Sequence, residues 1–152
     1  MKGMSIGELK LGDSAFFEKT ITDADVLLFA GVSGDMNPVH INDIYAQTSM
    51  FKKRIVHGGL VSALFSTVLG TQLPGMGTIY LEQNSRFIKP VYIQDTVKAV
   101  VEVEEINTEK NRVKLKTTAY NQNGEAVVVG YATVMPPRWK MNYLLKWSKN
   151  FH

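Results

Sequence analysis

Beyond Thr78, apolar and polar residues alternate along the chain. Val97, Ala99, Val101 and Val103 interleave with Lys98, Val100, Glu102 and Glu104, and Val113, Leu115, Thr117 and Ala119 interleave with Arg112, Lys114, Lys116 and Thr118. A period of two puts each apolar set on one face of a strand. Asn123-Gly124 is a hairpin signal between the second of these strands and a third over residues 125–134. A further strand is expected over 78–87, ended or edged by Pro90, which has no N–H to offer a ladder. Pro136-Pro137 should stop the last strand.

Up to Leu69 the signals are those of helices and loops, apart from an early strand near 15–20. Thr22 can cap a helix, with Asp25 three residues later completing a capping box. Val26, Leu28 and Phe29 carry that helix until Gly31 weakens it. From Gly31 to Pro38 the residues have loop chemistry throughout, and a short helix over 43–48 with Asn42 as its cap follows. Gly58-Gly59 opens an apolar run, LVSALFSTVL, whose helix should lie inside the protein. Ser62 and Ser66, four apart, share a face of it. Their bland role is to let the helix sit close to a sheet while the hydroxyls bond back to helix carbonyls; a functional role is the alternative. Strands in succession around such a helix make the class α+β, an antiparallel sheet with a buried helix packed on it.

Composition narrows the classes without naming one. The chain has 152 residues, 45% hydrophobic and 20% charged, which suits one globular domain. With no cysteine, disulfides, thiol nucleophiles and thiolate metal sites are excluded. The beginning of the chain lacks the apolar core of a signal peptide, and no run reaches a membrane span, so a cytoplasmic protein is expected. The net charge of +3 is local to the end of the chain, where Arg138, Lys140, Lys146 and Lys149 stand without an acid. The remainder is close to neutral and has no basic stripe of the kind that binds nucleic acid. In that terminal stretch Trp139, Tyr143, Trp147 and Phe151 recur every four residues, as on a helix. Residues 1–137 therefore form the domain and 138–152 a basic aromatic extension, expected to dock on its own subunit or a dimer mate, with a membrane surface as the alternative.

The candidate chemistry gathers in Gly34-Asp35-Met36-Asn37-Pro38-Val39-His40, too short and too rich in Gly and Pro for a helix. Asp35 can accept a proton and His40 can pass one near neutral pH. For an isolated Asp–His pair five apart, an Asx turn at Asp35 is the better explanation. One Asp and one His leave a metal shell mostly empty, so no metal is expected. His57, between Val56 and Gly58, reads as a hydrogen-bonded structural residue in a partly buried turn and is left out of the catalytic set.

The wider pattern adds to this. Phe29-Ala30-Gly31-Val32-Ser33-Gly34-Asp35-Met36-Asn37-Pro38-Val39-His40, with Ala46 after five intervening residues, resembles the signature of R-specific enoyl-CoA hydratases in the MaoC-like dehydratase group of hot-dog folds. The resemblance continues through Ile55-Val56-His57-Gly58-Gly59-Leu60, Phe65-Ser66, Leu73-Pro74-Gly75 and Phe87-Ile88-Lys89-Pro90-Val91, covering the body from about Leu9 to Met135. It implies a hot-dog fold, a homodimer, and hydration of trans-2-enoyl-CoA to (R)-3-hydroxyacyl-CoA. Under it Asp35 holds and deprotonates the water, and His40 positions the water and transfers the proton. The Gly58 N–H meets the charge on the thioester oxygen, Ser66 supports the site and Asn37 fixes the loop. No cofactor is implied beyond the CoA of the substrate. Alternatives from other classes are a hot-dog acyl-CoA thioesterase and a non-catalytic acyl-binding domain.

Overall fold

The alternating segments become one sheet. The computed structural model describes residues 2–139. Its strands are β1 (Ser14–Thr20), β2 (Ile79–Phe87), β3 (Thr96–Asn107), β4 (Arg112–Tyr120) and β5 (Ala126–Met135), all paired antiparallel in the order β1-β3-β4-β5-β2. The register sets Ala99 opposite Ala119, Val101 opposite Thr117 and Val103 opposite Leu115. All six are buried, so the inward faces read from the alternation meet across the central strand pair. Register shifts at Tyr80/Glu82, Val103/Glu105 and Ala119/Tyr120 add twist and help the sheet curve. β5 stops at Met135, immediately before Pro136-Pro137.

Among the described residues the fold is completed by α1 (Asp23–Ser33), α2 (Pro38–Ile41), α3 (Asp43–Thr48) and α4 (Gly58–Thr71). α4 lies in the curve of the sheet. Phe65, Val61, Leu64, Val68 and Leu69 are buried among Val97, Ala99, Val101, Leu115, Val128 and Val134. The opposite face of α4, with Gly59, Ala63, Ser66 and Gly70, is exposed in the single chain. The helix is buried against the sheet as expected, while small side chains leave its other face almost flat. Ser62 also departs from expectation, bonding Ser85 Oγ on β2 at 3.2 Å rather than a helix carbonyl.

α1 is capped as expected, the Thr22 hydroxyl accepting from the Asp25 N–H and the Asp25 carboxylate accepting from the Thr22 N–H. It runs through Gly31 and ends at Gly34, which takes the left-handed conformation at φ 77°. A glycine inside a helix costs about 1 kcal/mol, too little to end a helix whose next turn offers a better stop. β2 departs from strict alternation: Ile79, Tyr80, Leu81 and Phe87 are exposed although they fall on both faces, because β2 is a sheet edge. β5 approaches it so closely at Gly130 that a Cβ there would lie 1.8 Å from the Asn84 carbonyl oxygen.

Trp139 is partly buried against the beginning of the chain, its Nε1–H donating to the Gly3 carbonyl at 2.9 Å. Tyr143, Trp147 and Phe151, the rest of the aromatic stripe, lie outside the described residues. Among the described residues no helix is long and apolar enough to cross a membrane.

Phe65 joins helix to sheet and is fully buried. Phe65→Ala should destabilise the fold by about 3–5 kcal/mol, read as a lower urea midpoint with an unchanged slope. A midpoint equal to that of the parent protein would mean that α4 does not seat the sheet.

Candidate active site

The segment between α1 and α2 is built by short-range polar bonds. Ser33 Oγ donates to the Phe29 carbonyl and accepts from the Asp35 N–H at 3.1 Å. Asp35 Oδ1 accepts from the Asn37 N–H at 3.2 Å, and Asn37 Oδ1 caps α2 by accepting from the Val39 N–H at 3.3 Å. The Asx turn expected of an isolated Asp is therefore present, and it coexists with a second carboxylate oxygen that the turn does not use. α2 itself is a correction to the reading of this stretch as loop: Asn37 and Pro38 are a cap and a first helical residue, and they start a four-residue helix.

α2 carries His40 inward. The imidazole is 8% exposed, and its Nδ1 meets the Ile55 carbonyl at 2.8 Å. A carbonyl only accepts, so Nδ1 carries the proton and Nε2 keeps a lone pair. The segment that supplies Ile55 is itself pinned. Arg54 Nε donates to the His40 carbonyl at 2.7 Å, its guanidinium also holds Asp23 at 2.6 Å, and the Val56 N–H donates to the Val91 carbonyl. Burial pushes the His40 pKa below its ordinary 6.5; the Ile55 hydrogen bond opposes this, His57 adds to it and Asp35 opposes it. Neutral imidazole is thus the favoured form.

His57 enters the same cluster. It is 1% exposed, its Nε2 lies 3.0 Å from the Asp35 backbone oxygen, and its ring stacks on His40 with centroids 3.9 Å apart. A carboxylate oxygen of Asp35 and ring nitrogens of His40 and His57 lie within 4.8 Å of one another, so these three residues are also the candidate set for a metal. The reading that set His57 apart placed it in a partly buried turn; the structure buries it fully against both members of the Asp–His pair. Its adjacency to Gly58 and its place in the Ile55–Leu60 stretch of the resemblance are the available signals.

Gly58 is the first residue of α4, directly after His57, and its N–H has no acceptor among the described residues. With His40 and Gly59 it lines a cavity of about 580 Å³ whose apolar walls include Met50, Phe51, Phe87, Val91 and Val128. That volume lies in the range of small-molecule sites. A Cβ on Gly58 would lie 2.7 Å from the Phe87 ring. Asp35, Asn37 and Ser66 are exposed in the single chain, and Ser66 is not part of this cavity wall. The structure therefore clusters Asp35 with His40 and His57 and sets His40 and Gly58 on one cavity wall, while Asp35, Asn37 and Ser66 are not among the lining residues and Ser66 lies on the open face of α4.

The comparisons with known proteins identify the family. Residues 12–126 match the family model described as a MaoC like domain. The chain belongs to the MaoC-like family. Among curated MaoC-like relatives, the (R)-specific enoyl-CoA hydratase of Rhodospirillum rubrum is 49% identical over 86% of this chain and 90% of its own length. The (R)-specific enoyl-CoA hydratase of Aeromonas caviae is 42% identical over 88% of this chain and 100% of its own. Among solved structures, R-hydratase PhaJ1 from Pseudomonas aeruginosa superposes with a TM-score of 0.85 at 46% identity, covering 90% of this chain and 88% of that one. The MaoC-like match takes in Asp35, His40, His57 and Gly58.

In an NMR titration of the ring protons, His40 should show a midpoint below 6.5, the sign that burial imposes on a base whose charged form is disfavoured. A midpoint at or above 6.5 would contradict the buried, neutral imidazole.

Proposed function

We propose that this protein catalyses the reversible (R)-specific addition of water to trans-2-enoyl-CoA, giving (R)-3-hydroxyacyl-CoA, as a hydro-lyase. The reading is carried by one observation: a carboxylate and a lone-pair nitrogen, Asp35 and the Nε2 of His40, stand on one small cluster beside an unpaired helix N–H. Two acceptors bridged by one water at about 2.8 Å each stand roughly 4.5 Å apart, and the polar atoms of this cluster all lie within 4.8 Å of one another.

The steps follow from the residues. One water offers a hydrogen to the Asp35 carboxylate and another to His40 Nε2. As its oxygen bonds to C3, Asp35 removes a proton and the C2=C3 π bond opens toward the thioester. Charge then builds on the thioester oxygen, where the Gly58 N–H and the N-terminal dipole of α4 can receive it. The proton released by the water reaches C2 through the Asp35–His40 pair, so atoms and charge balance with no other reactant. Asn37 holds the loop geometry. Ser66 plays a supporting part from the open face of α4, which requires that face to be covered by a second copy.

The proposal therefore includes a cytoplasmic homodimer with acyl-CoA bound between subunits. It is supported by the apolar side chains that β2 leaves exposed on an unpaired edge and by the flat face of α4. No metal or redox cofactor is required, because the thioester already activates the alkene for acid–base chemistry.

Crotonyl-CoA tests the reading when alkene absorbance and free thiol are followed together. Loss of absorbance without thiol release is expected of a hydratase. Thiol release would make the protein a thioesterase, and neither change would make it a binding domain. Asp35→Asn and His40→Gln should each lower kcat by roughly 10²–10⁴-fold, and the double variant should lose much less than the product of the two. Dialysis against EDTA should leave kcat unchanged; a loss restored by Zn²⁺ would make Asp35, His40 and His57 metal ligands.

A further inference from the structure

His57 has features that the Asp35–His40–Gly58 scheme does not use. It is fully buried, and its Nε2 faces the Asp35 backbone carbonyl, so Nε2 carries the proton and Nδ1 the lone pair. That Nδ1 is buried with no hydrogen-bond partner among the described residues. An unsatisfied buried nitrogen is a cost that calls for a reason. A phenylalanine would fill the space without it, and a glutamine would supply the N–H but no ring. Only an imidazole of this size offers both a flat ring and a donor at its far end. Both are in use: the ring stacks on His40 at 3.9 Å and 27°, with Phe29 of α1 tilted against its other neighbourhood at 4.9 Å, while the N–H holds Asp35. His57 is also the cap residue of α4, its carbonyl accepting from the Leu60 and Val61 N–H groups. The next N–H along the chain is that of Gly58.

We propose that His57 is a positioning residue that fixes the Asp35 carbonyl through Nε2–H and seats the His40 ring, so that carboxylate and imidazole stay on the same water. The inference rests on the hydration reading above. It assigns His57 no contact with substrate. Asp35 needs such a clamp because its loop is exposed and the other hydrogen bonds of Asp35 run only to its near neighbours Ser33 and Asn37.

The test separates the two functions of the ring. His57→Phe keeps a flat ring against His40 but removes the donor. His57→Gln keeps a donor able to reach the Asp35 carbonyl but removes the ring. With crotonyl-CoA, kcat should fall roughly hundredfold in His57→Phe and about tenfold in His57→Gln, with KM within about twofold of the parent value. Partial rescue by Gln is the signature of the hydrogen bond. If kcat stays within about twofold in His57→Gln, if the two variants lose the same factor, or if the loss falls on KM, the proposal is overturned. Should His57→Phe not fold, His57→Gln alone still decides by its kcat.

A parent protein inactive on crotonyl-CoA would instead undo the hydration reading, and the positioning role would then be read without substrate. The groups facing His40 are Asp35, His57 and Arg54, whose Nε holds the His40 carbonyl. Removing the His57 ring from His40 in His57→Gln should raise the His40 titration midpoint measured by NMR. An unchanged midpoint would mean that His57 does not seat that ring.

Discussion

The hydrogen bond between His40 Nδ1 and the Ile55 carbonyl is the constraint on which the site depends. A carbonyl oxygen can only accept, so this one contact chooses the tautomer, aims Nε2 away from the backbone and makes it a base. Burial keeps that base neutral. The contact in turn needs Ile55 to be immobile. Arg54 ties the segment to α1 and α2 through Asp23 and the His40 carbonyl, and Val56 ties it to the strand side through Val91. A surface strap thereby becomes part of a rigid frame.

That frame explains why the fold suits this chemistry. The curved sheet encloses one face of α4, so the start of the helix is fixed while its first N–H groups remain unspent. The loop from Ser33 to Asn37 is stiffened by its own side chains and not by the sheet, which lets the Asp35 carboxylate stand in the open beside a buried imidazole. Acid–base groups of contrasting exposure are thus set side by side, and the apolar cavity next to Gly58 has room for an acyl chain.

Where local patterns determine structure, the sequence was legible. The inward sets on β3 and β4 follow from a period of two, and the caps at Thr22 and Asn42 follow from side chains that bond only their near neighbours. α2 was not legible, since four helical residues inside Gly, Asn and Pro chemistry carry no period. Nor was the exposure of β2, whose apolar residues say that something should cover them but not that the sheet ends there. The family could be read through a resemblance that fixes many positions at once, and that resemblance is what proposes Asp35, His40 and Gly58. His57 lies inside the same resemblance, but its contacts were not legible, because they join it to a carbonyl 22 positions away in sequence and to a ring stacked on it in space.

The central claim is that one water, held by Asp35 and His40, is added across the enoyl thioester from a single side. Hydration of crotonyl-CoA in D₂O, with the product analysed for configuration at C3 and deuterium at C2, tests it most directly. The account predicts (R)-3-hydroxybutyryl-CoA carrying deuterium at one stereochemical position of C2, with the thioester intact. Formation of the (S)-alcohol, deuterium scrambled over both C2 positions during the first turnover, or free CoA released with the alkene unchanged would contradict it.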